Sequence, residues 1–331
     1  SVARRQNCSG RQLGESEVEK VILKAQETNH LVYRILDSDL FFSFKRNPVV
    51  IISALVTCLF FIGAGFAPWL APHNPFNPAS LDLMEASTPP AWLEEGLSKF
   101  LLGTDDQGRD ILSTIMFGSR VSLIVGFLAV MFSVLIGVSA GLVAGYMGGW
   151  FDTIIMRLAD VQLAIPTILI ALMINGVVVI MLPQQIQHKM AIYVLILAIG
   201  VSEWPRYARI ARGSARVERG KEYVAAAQVI GVHPISIMIR HILPNIMGPI
   251  LVMGTIGLAL AIITEATLSF LGVGVSPTTP SLGTLIRVGN NYLFSGEWWI
   301  TLFPCIALVL LVLAVNLLGD WLRDALNPKL R

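Results

Sequence analysis

The ionisable side chains that interrupt otherwise apolar stretches of this sequence include Arg157, Asp160, Glu203 and Glu265. A charge inside a hydrocarbon layer is costly, and it persists where it meets a partner or a water-filled path. Arg157 and Asp160 stand three residues apart and read as a local pair near the start of their run. Glu265 has no such neighbour in its own run, so we read it as bonded to another helix, with a place facing a solute pathway as the alternative. Asp160, Glu203 and Glu265 are also the carboxylates that an ion-coupled carrier would need. No reacting constellation accompanies them. His30, His73, His188, His233 and His241 are scattered without an HExxH spacing, and no serine nucleophile elbow is present. Gly220-Lys221 lacks a phosphate-loop setting, because Ala215 stands at the first glycine position and Glu222 where Ser or Thr would hold magnesium. Cys8, Cys58 and Cys305 have no metal-ligand spacing. These residues argue against an enzyme, a bound nucleotide and a metal centre.

The elements that carry the four groups are long and apolar. Soluble domains are about one quarter charged, whereas this chain of 331 residues is 14% charged and 54% hydrophobic. A formal net charge of +2 gives no electrostatic case for nucleic acid. Crossing a bilayer takes roughly 20 apolar residues in a helix. Pro48 to Ala71, Val121 to Tyr146, Ile154 to Leu182, Ile246 to Val275 and Trp298 to Gly319 meet that length. Met190 to about Ile210 is a weaker sixth candidate, interrupted by Glu203, Pro205, Arg206 and Arg209.

Basic residues mark the cytoplasmic side. With six spans and the N-terminus inside, Arg206 to Arg240 falls on that side together with both ends of the chain. Without a fourth crossing, that basic stretch would face outward. The fold class expected is therefore an all-α integral membrane protein of about six transmembrane helices, with both termini cytoplasmic. Residues 1–47 read as a cytoplasmic segment with a helix around Glu15 to Ala25 and a membrane-surface stretch at Phe41 to Arg46; the first apolar run reads as a retained anchor rather than a cleaved signal. Residues 48–71 form the first span, 72–120 a proline-rich external loop and entry to the second span, 121–320 the core with its cytoplasmic loop 206–245, and 321–331 a cytoplasmic tail. Trp298, Trp299 and Trp321 read as interfacial anchors. Arg206, Arg209, Arg212, Arg216 and Arg219 share one helical face, read as meeting anionic lipid head groups in preference to a partner protein.

The loop after the fourth span is the most informative segment. Ala225, Ala226 and Ala227 favour a short helix, Gly231 suits a left-handed helix end, and Pro234 suits the first turn of a second helix. Leu243 and Pro244 then lead into the fifth span. This pattern resembles the EAA loop of ABC importer permeases. Ala226, Ala227, Gly231, Leu243 and Pro244 match at the family's spacing, while Ala225 replaces its glutamate and His241 its isoleucine. Leu102-Gly-Thr-Asp-Asp-Gln-Gly-Arg-Asp110, Glu265 to Gly272, Pro277-Thr-Thr-Pro280 and Gly319 to Arg331 are similar to the C-type permease of dipeptide, oligopeptide and nickel importers. Leu282 stands where many relatives carry Trp.

The resemblance implies a type I importer permease fold and a translocating subunit for peptides or a similar small solute, in the bacterial inner membrane. It implies a homologous B-type permease as partner, two ABC ATPase subunits that hold ATP and magnesium, and an extracytoplasmic substrate-binding protein. No cofactor is expected in this chain. It also implies that Glu222, Tyr223, Ala225, Ala226, Ala227, Gly231, Pro234, Leu243 and Pro244 couple the permease to the ATPase, with Glu222 offering a carboxylate near the altered Ala225 position. The alternative is an ion-coupled secondary transporter.

Overall fold

The computed structural model describes residues 44–76, 82–181, 183–275 and 280–326. The expected N-terminal helix around Glu15, Pro277 to Thr279 of the outer loop, and Asn327 to Arg331 of the tail lie outside the described residues. The chain divides into Ser1–Ile51 and Ile52–Arg331. In the first unit, the Asn47 side chain accepts the Val49 amide at 3.1 Å where a helix begins.

The described elements are helical. They are α1 (Pro48–Gly65), α2 (Ala67–Leu70), α3 (Ile111–Met147), α4 (Gly149–Leu163), α5 (Thr167–Met181) and α6 (Gln184–Arg219). Short α7 (Glu222–Val229) and α8 (Pro234–Ile237) follow, then α9 (Leu243–Phe270), α10 (Leu282–Asn290) and α11 (Trp298–Leu326). Among the described residues four helices are long and apolar enough to cross a membrane, or five if the bent pair α4 and α5 makes one span. α6 is outside that set, since Glu203 and the arginines after it crowd its second half, yet it is one continuous helix of 36 residues.

Two expected boundaries change. The second span starts inside a longer helix, because Asp110 caps α3 by accepting the Ser113 amide at 2.9 Å. The third expected span is not one straight helix: α4 and α5 meet at 92° around Ala164, Ile165 and Pro166. Proline disfavours a helical conformation in the residue before it, so the break falls at Ile165.

α3 and α6 approach each other closely, and small residues make this possible. A Cβ placed on Gly137, Gly141 or Gly145 would stand 2.5, 2.3 and 2.6 Å from the carbonyl oxygens of Trp204, Ala208 and Arg212. One turn earlier, Ser133 Oγ donates to the Gly200 carbonyl at 2.9 Å. Steps of four residues keep this stripe on one face, which is how helices without a hydrophobic driving force in lipid gain contact.

Among the described residues three apolar clusters build the core. One joins Ile111, Ile115, Ile262, Leu282, Trp299 and Leu311 at the N-terminal end of α3. A second joins Val125, Ala129, Leu195, Ile199 and Leu268. The third, at the opposite end of α3, joins Val138, Leu142, Tyr146, Ala215, Val224 and Ile242. Trp299 belongs to the first cluster and donates its indole N–H to the Thr104 carbonyl at 3.2 Å, so it is a core residue rather than an interfacial anchor.

Candidate functional site

α7 begins immediately after α6 and presents two different faces. Val224 and Ala227, three residues apart, are buried in the cluster with Leu142, Tyr146, Ala215 and Ile242. Glu222, Ala225, Ala226, Val229 and Ile230 are exposed on the other face. Val229 is 88% and Ile230 79% exposed, so this short helix carries an uncovered apolar ridge. The expectation that all three alanines fit a partner is thereby corrected, because Ala227 is already packed inside this chain.

The end of α7 has the predicted geometry. Gly231 has φ +85°, the Val232 amide donates to the Ala227 carbonyl at 3.0 Å, and the Gly231 amide to the Gln228 carbonyl at 3.0 Å. Those two bonds define a Schellman ending. Pro234 then occupies the first turn of α8, and His233 Nδ1 accepts the Ile235 amide at 3.3 Å. Residues Met238–Ile242 form a π-turn ahead of Leu243 and Pro244. Pro244 has no N–H to offer the Arg240 carbonyl, so the normal helical ladder is already broken there.

Polar contacts tie this unit to the long helices. Glu218, near the end of α6, accepts Lys221 Nζ and the Tyr223 hydroxyl, each at 2.6 Å. Asn245 Nδ2 donates to the Tyr223 oxygen at 3.2 Å and to the His241 carbonyl at 2.7 Å. Tyr146 at the end of α3 accepts Gln228 Nε2 at 3.3 Å, and the Arg219 guanidinium lies 5.8 Å from its ring centre. Burial raises the Glu218 carboxyl, but the Lys221 and Tyr223 hydrogen bonds and the Lys221 charge together hold it below its usual value. Burial, then the hydrogen bond to Glu218, pushes the Tyr223 hydroxyl up. Any displacement of α7 is therefore shared by α3, α6 and α9. Sequence reasoning singled out Tyr223 but missed Glu218; a carboxylate five residues before the Tyr and three before a lysine was the available signal.

The four intramembrane groups separate. Asp160 accepts Arg209 of α6 at 2.6 Å, not Arg157, which is exposed on α4. The expected local pair is replaced because the face of α4 that carries Asp152 and Asp160 lies against α6. Arg212 holds Asp152 of α4 with two hydrogen bonds at 2.5 and 2.6 Å, and Arg206 meets Glu203 at 3.0 Å. Three of the five arginines expected at lipid head groups thus bind carboxylates of this chain.

Glu203 also accepts the Thr167 hydroxyl at 3.2 Å, at the first residue after the bend. Gln162, just before it, donates to the Val201 carbonyl and accepts the Trp204 indole N–H at 2.8 Å. Glu265 is fully buried and accepts Ser122 of α3 at 2.6 Å and Ser269 at 2.7 Å. Ser122 Oγ in turn accepts the Leu282 amide at 3.4 Å at the start of α10. Through these bonds Glu265 joins α3, α9 and α10. These arrangements join helices; among the described residues no group of His, Cys, Asp and Glu could hold a metal.

Comparison with known proteins gives a consistent picture. The family described as binding-protein-dependent transport system inner membrane component matches residues 133–331, and the N-terminal TM domain of oligopeptide transport permease C matches residues 38–90. The dipeptide transport system permease protein DppC of Haemophilus influenzae is 40% identical over 88% of this chain and 95% of its own length. The di/tripeptide permease DppC of Pseudomonas aeruginosa is 38% identical over 91% and 95%. The glutathione permease GsiD of an Escherichia coli strain is 36% identical over 87% and 89%. An inward-facing MetNI methionine ABC transporter structure covers 65% of this chain and 96% of its own, with a TM-score of 0.50 and 18% identity, a likeness of fold alone.

Proposed function

Because this chain belongs to the family of binding-protein-dependent transport system inner membrane components, and is a multi-pass permease of the ABC importer type, we propose that it pairs with a homologous permease to form a peptide pathway. Two ATPase subunits bind at the α7 end, where they supply the ATP and magnesium chemistry. An extracytoplasmic binding protein delivers the solute at the opposite end, and both chain termini lie on the cytoplasmic side. Short peptides are the proposed cargo, in line with the dipeptide and di/tripeptide permeases to which the chain is similar.

The observation that carries this reading is the two-faced α7. Its exposed Ala225, Ala226, Val229 and Ile230 form an apolar ridge with small residues at its start, suited to close packing in a cleft. Its buried Val224 and Ala227 lock it to the ends of α3, α6 and α9. A push on the ridge is delivered to the long helices as a rigid displacement, which is what converts ATPase closure into opening and closing of a path.

The test is reconstitution of the assembled transporter in vesicles with labelled dipeptide. Uptake should require ATP on the ATPase side and loaded binding protein on the other. Uptake by this chain alone, driven by an ion gradient, would overturn the reading in favour of a secondary transporter.

A further inference from the structure

One basic side chain stands apart from the pairs described above. Arg120 lies on α3 one residue before the uncharged run that starts at Val121, and it is exposed with no carboxylate partner among the described residues. It closes one end of a groove between α1 and α3. Leu123, Ile124 and Phe127 follow Arg120 at helical spacings of three, four and seven, so the groove runs from the charge along one face of α3 for about 10 Å. Phe61, Ala64 and Gly65 of α1 form the facing wall. Phe61 and Phe127 are about half exposed, and Leu123 is buried beneath them.

The two ends of this groove ask for different chemistry. A guanidinium at the edge of a hydrocarbon layer is stabilised by a planar or forked anion, which it can grip with paired N–H groups. The apolar walls offer nothing to a hydrated solute or a peptide backbone, whose polar groups would be stripped of water without replacement. An ionised head joined to an apolar tail satisfies both ends. We propose that the groove is a binding site for an anionic phospholipid, its phosphate on Arg120 and an acyl chain lying between Phe61 and Phe127. Such a lipid would fix α1 against α3 at the external edge of the membrane.

The assembled transporter in detergent, stripped of lipid and then titrated, gives the test. The probes are phosphatidylglycerol and phosphatidylcholine with identical acyl chains, and bound lipid is counted by native mass spectrometry. The wild type should retain phosphatidylglycerol in preference, and Arg120→Gln should weaken that retention about tenfold, as expected for a lost charge-assisted hydrogen bond. Gly65→Phe is the second variant. A Cβ added at Gly65 meets no protein atom within 4 Å and Gly65 lines the groove, so a phenyl ring there should fill it and abolish retention of both lipids while Arg120 is intact. Equal retention of the two lipids by the wild type, or an unchanged preference in Arg120→Gln, would overturn the proposal. So would efficient cross-linking of Ile124→Cys to another subunit, because a protein helix would then fill the groove. None of these readouts depends on transport, so the peptide-importer reading stands or falls separately.

Discussion

The side-chain amide of Gln162 donates to the backbone carbonyl of Val201, the acceptor that Pro205 leaves without its helical donor. A proline inside α6 would ordinarily weaken that helix. Here the bond it removes is replaced by one from the last turn of α4, directly beside the 92° bend. The interruption in one helix thus anchors the interruption in its neighbour, and the Trp204 indole on the same glutamine completes the anchor.

Gln162→Ala should leave the half-buried Val201 carbonyl and Trp204 indole unpaired, at a cost of about 1 kcal/mol each. Pro205→Ala in that background restores an N–H for Val201 and should recover part of the loss. Thermal unfolding of the two single variants and the double variant gives the coupling. Purely additive effects would show that Pro205 and Gln162 do not share the acceptor.

Glu265 should tolerate glutamine better than alanine. The glutamine oxygen can still accept Ser122 or Ser269, whereas alanine leaves both hydroxyls facing an apolar core. The difference should be about 1 to 3 kcal/mol in thermal unfolding. Transport by the assembled transporter carrying Glu265→Gln should persist, since the group joins helices rather than carrying an ion. Abolished transport with unchanged stability would place Glu265 on the pathway instead.

Gly231→Val should insert normally and lose transport. With φ +85° the left-handed geometry alone costs a branched side chain on the order of 1 to 2 kcal/mol, and no neighbour lies within 4 Å to add a clash. Gly231→Asn, which tolerates that conformation better, should keep more activity. Uptake assays beside a membrane-insertion control separate the two. Wild-type uptake by the valine variant would mean that the turn does not need this geometry in the working complex.

Much of this was legible in the sequence because the signals were local. Gly231 and Pro234 carry their own backbone preferences, and the uncharged runs announce α1, α3 and α11 without reference to any neighbour. What was not legible required knowing which helix stands beside which. Asp160 was paired with Arg157 because sequence spacing shows only neighbours on one helix, and the true partner, Arg209, is 49 residues away across the bend. The Gly137, Gly141 and Gly145 stripe was visible as small residues every fourth position, but it becomes an interface only once α6 supplies Trp204, Ala208 and Arg212. Ala227 looked the same as Ala225 and Ala226 because composition cannot say which face of a short helix is already covered.

Acid should loosen the α7 unit through Glu218. Its carboxyl is held below the ordinary value of 4.5 in the folded chain. A carboxyl so depressed contributes stability that is fully present above its ordinary pKa and is lost as pH falls through the folded-state value. Hydrogen exchange at the Val224 amide should therefore be level near neutrality and gain an acid-dependent acceleration below about 4.5, beyond the intrinsic pH effect. Glu218→Gln should remove that acceleration; an identical acid profile in the variant would assign it to another group.

The two neighbouring alanines of α7 offer the most direct test of coupling, because they face opposite ways. Ala226 is on the exposed ridge with Glu222, Val229 and Ile230, while Ala227 is 7% exposed and packed with Leu142, Tyr146 and Ile242. Overfilling a packed site costs about 1 to 3 kcal/mol. Ala227→Trp should therefore lower the thermal stability of the isolated chain, with or without an ATPase present. Ala226→Trp should leave the isolated chain unchanged and act only where a partner closes over the ridge. In the assembled transporter it should reduce ATPase association and abolish the acceleration of ATP hydrolysis by loaded binding protein. Ala226→Cys, in a chain without Cys8, Cys58 and Cys305, should cross-link to a cysteine in the ATPase cleft, and Ala227→Cys should not. Full ATPase stimulation and uptake in Ala226→Trp, together with no cross-link from Ala226, would mean that the ridge is not the docking face, and the push on α3, α6 and α9 would have to enter elsewhere.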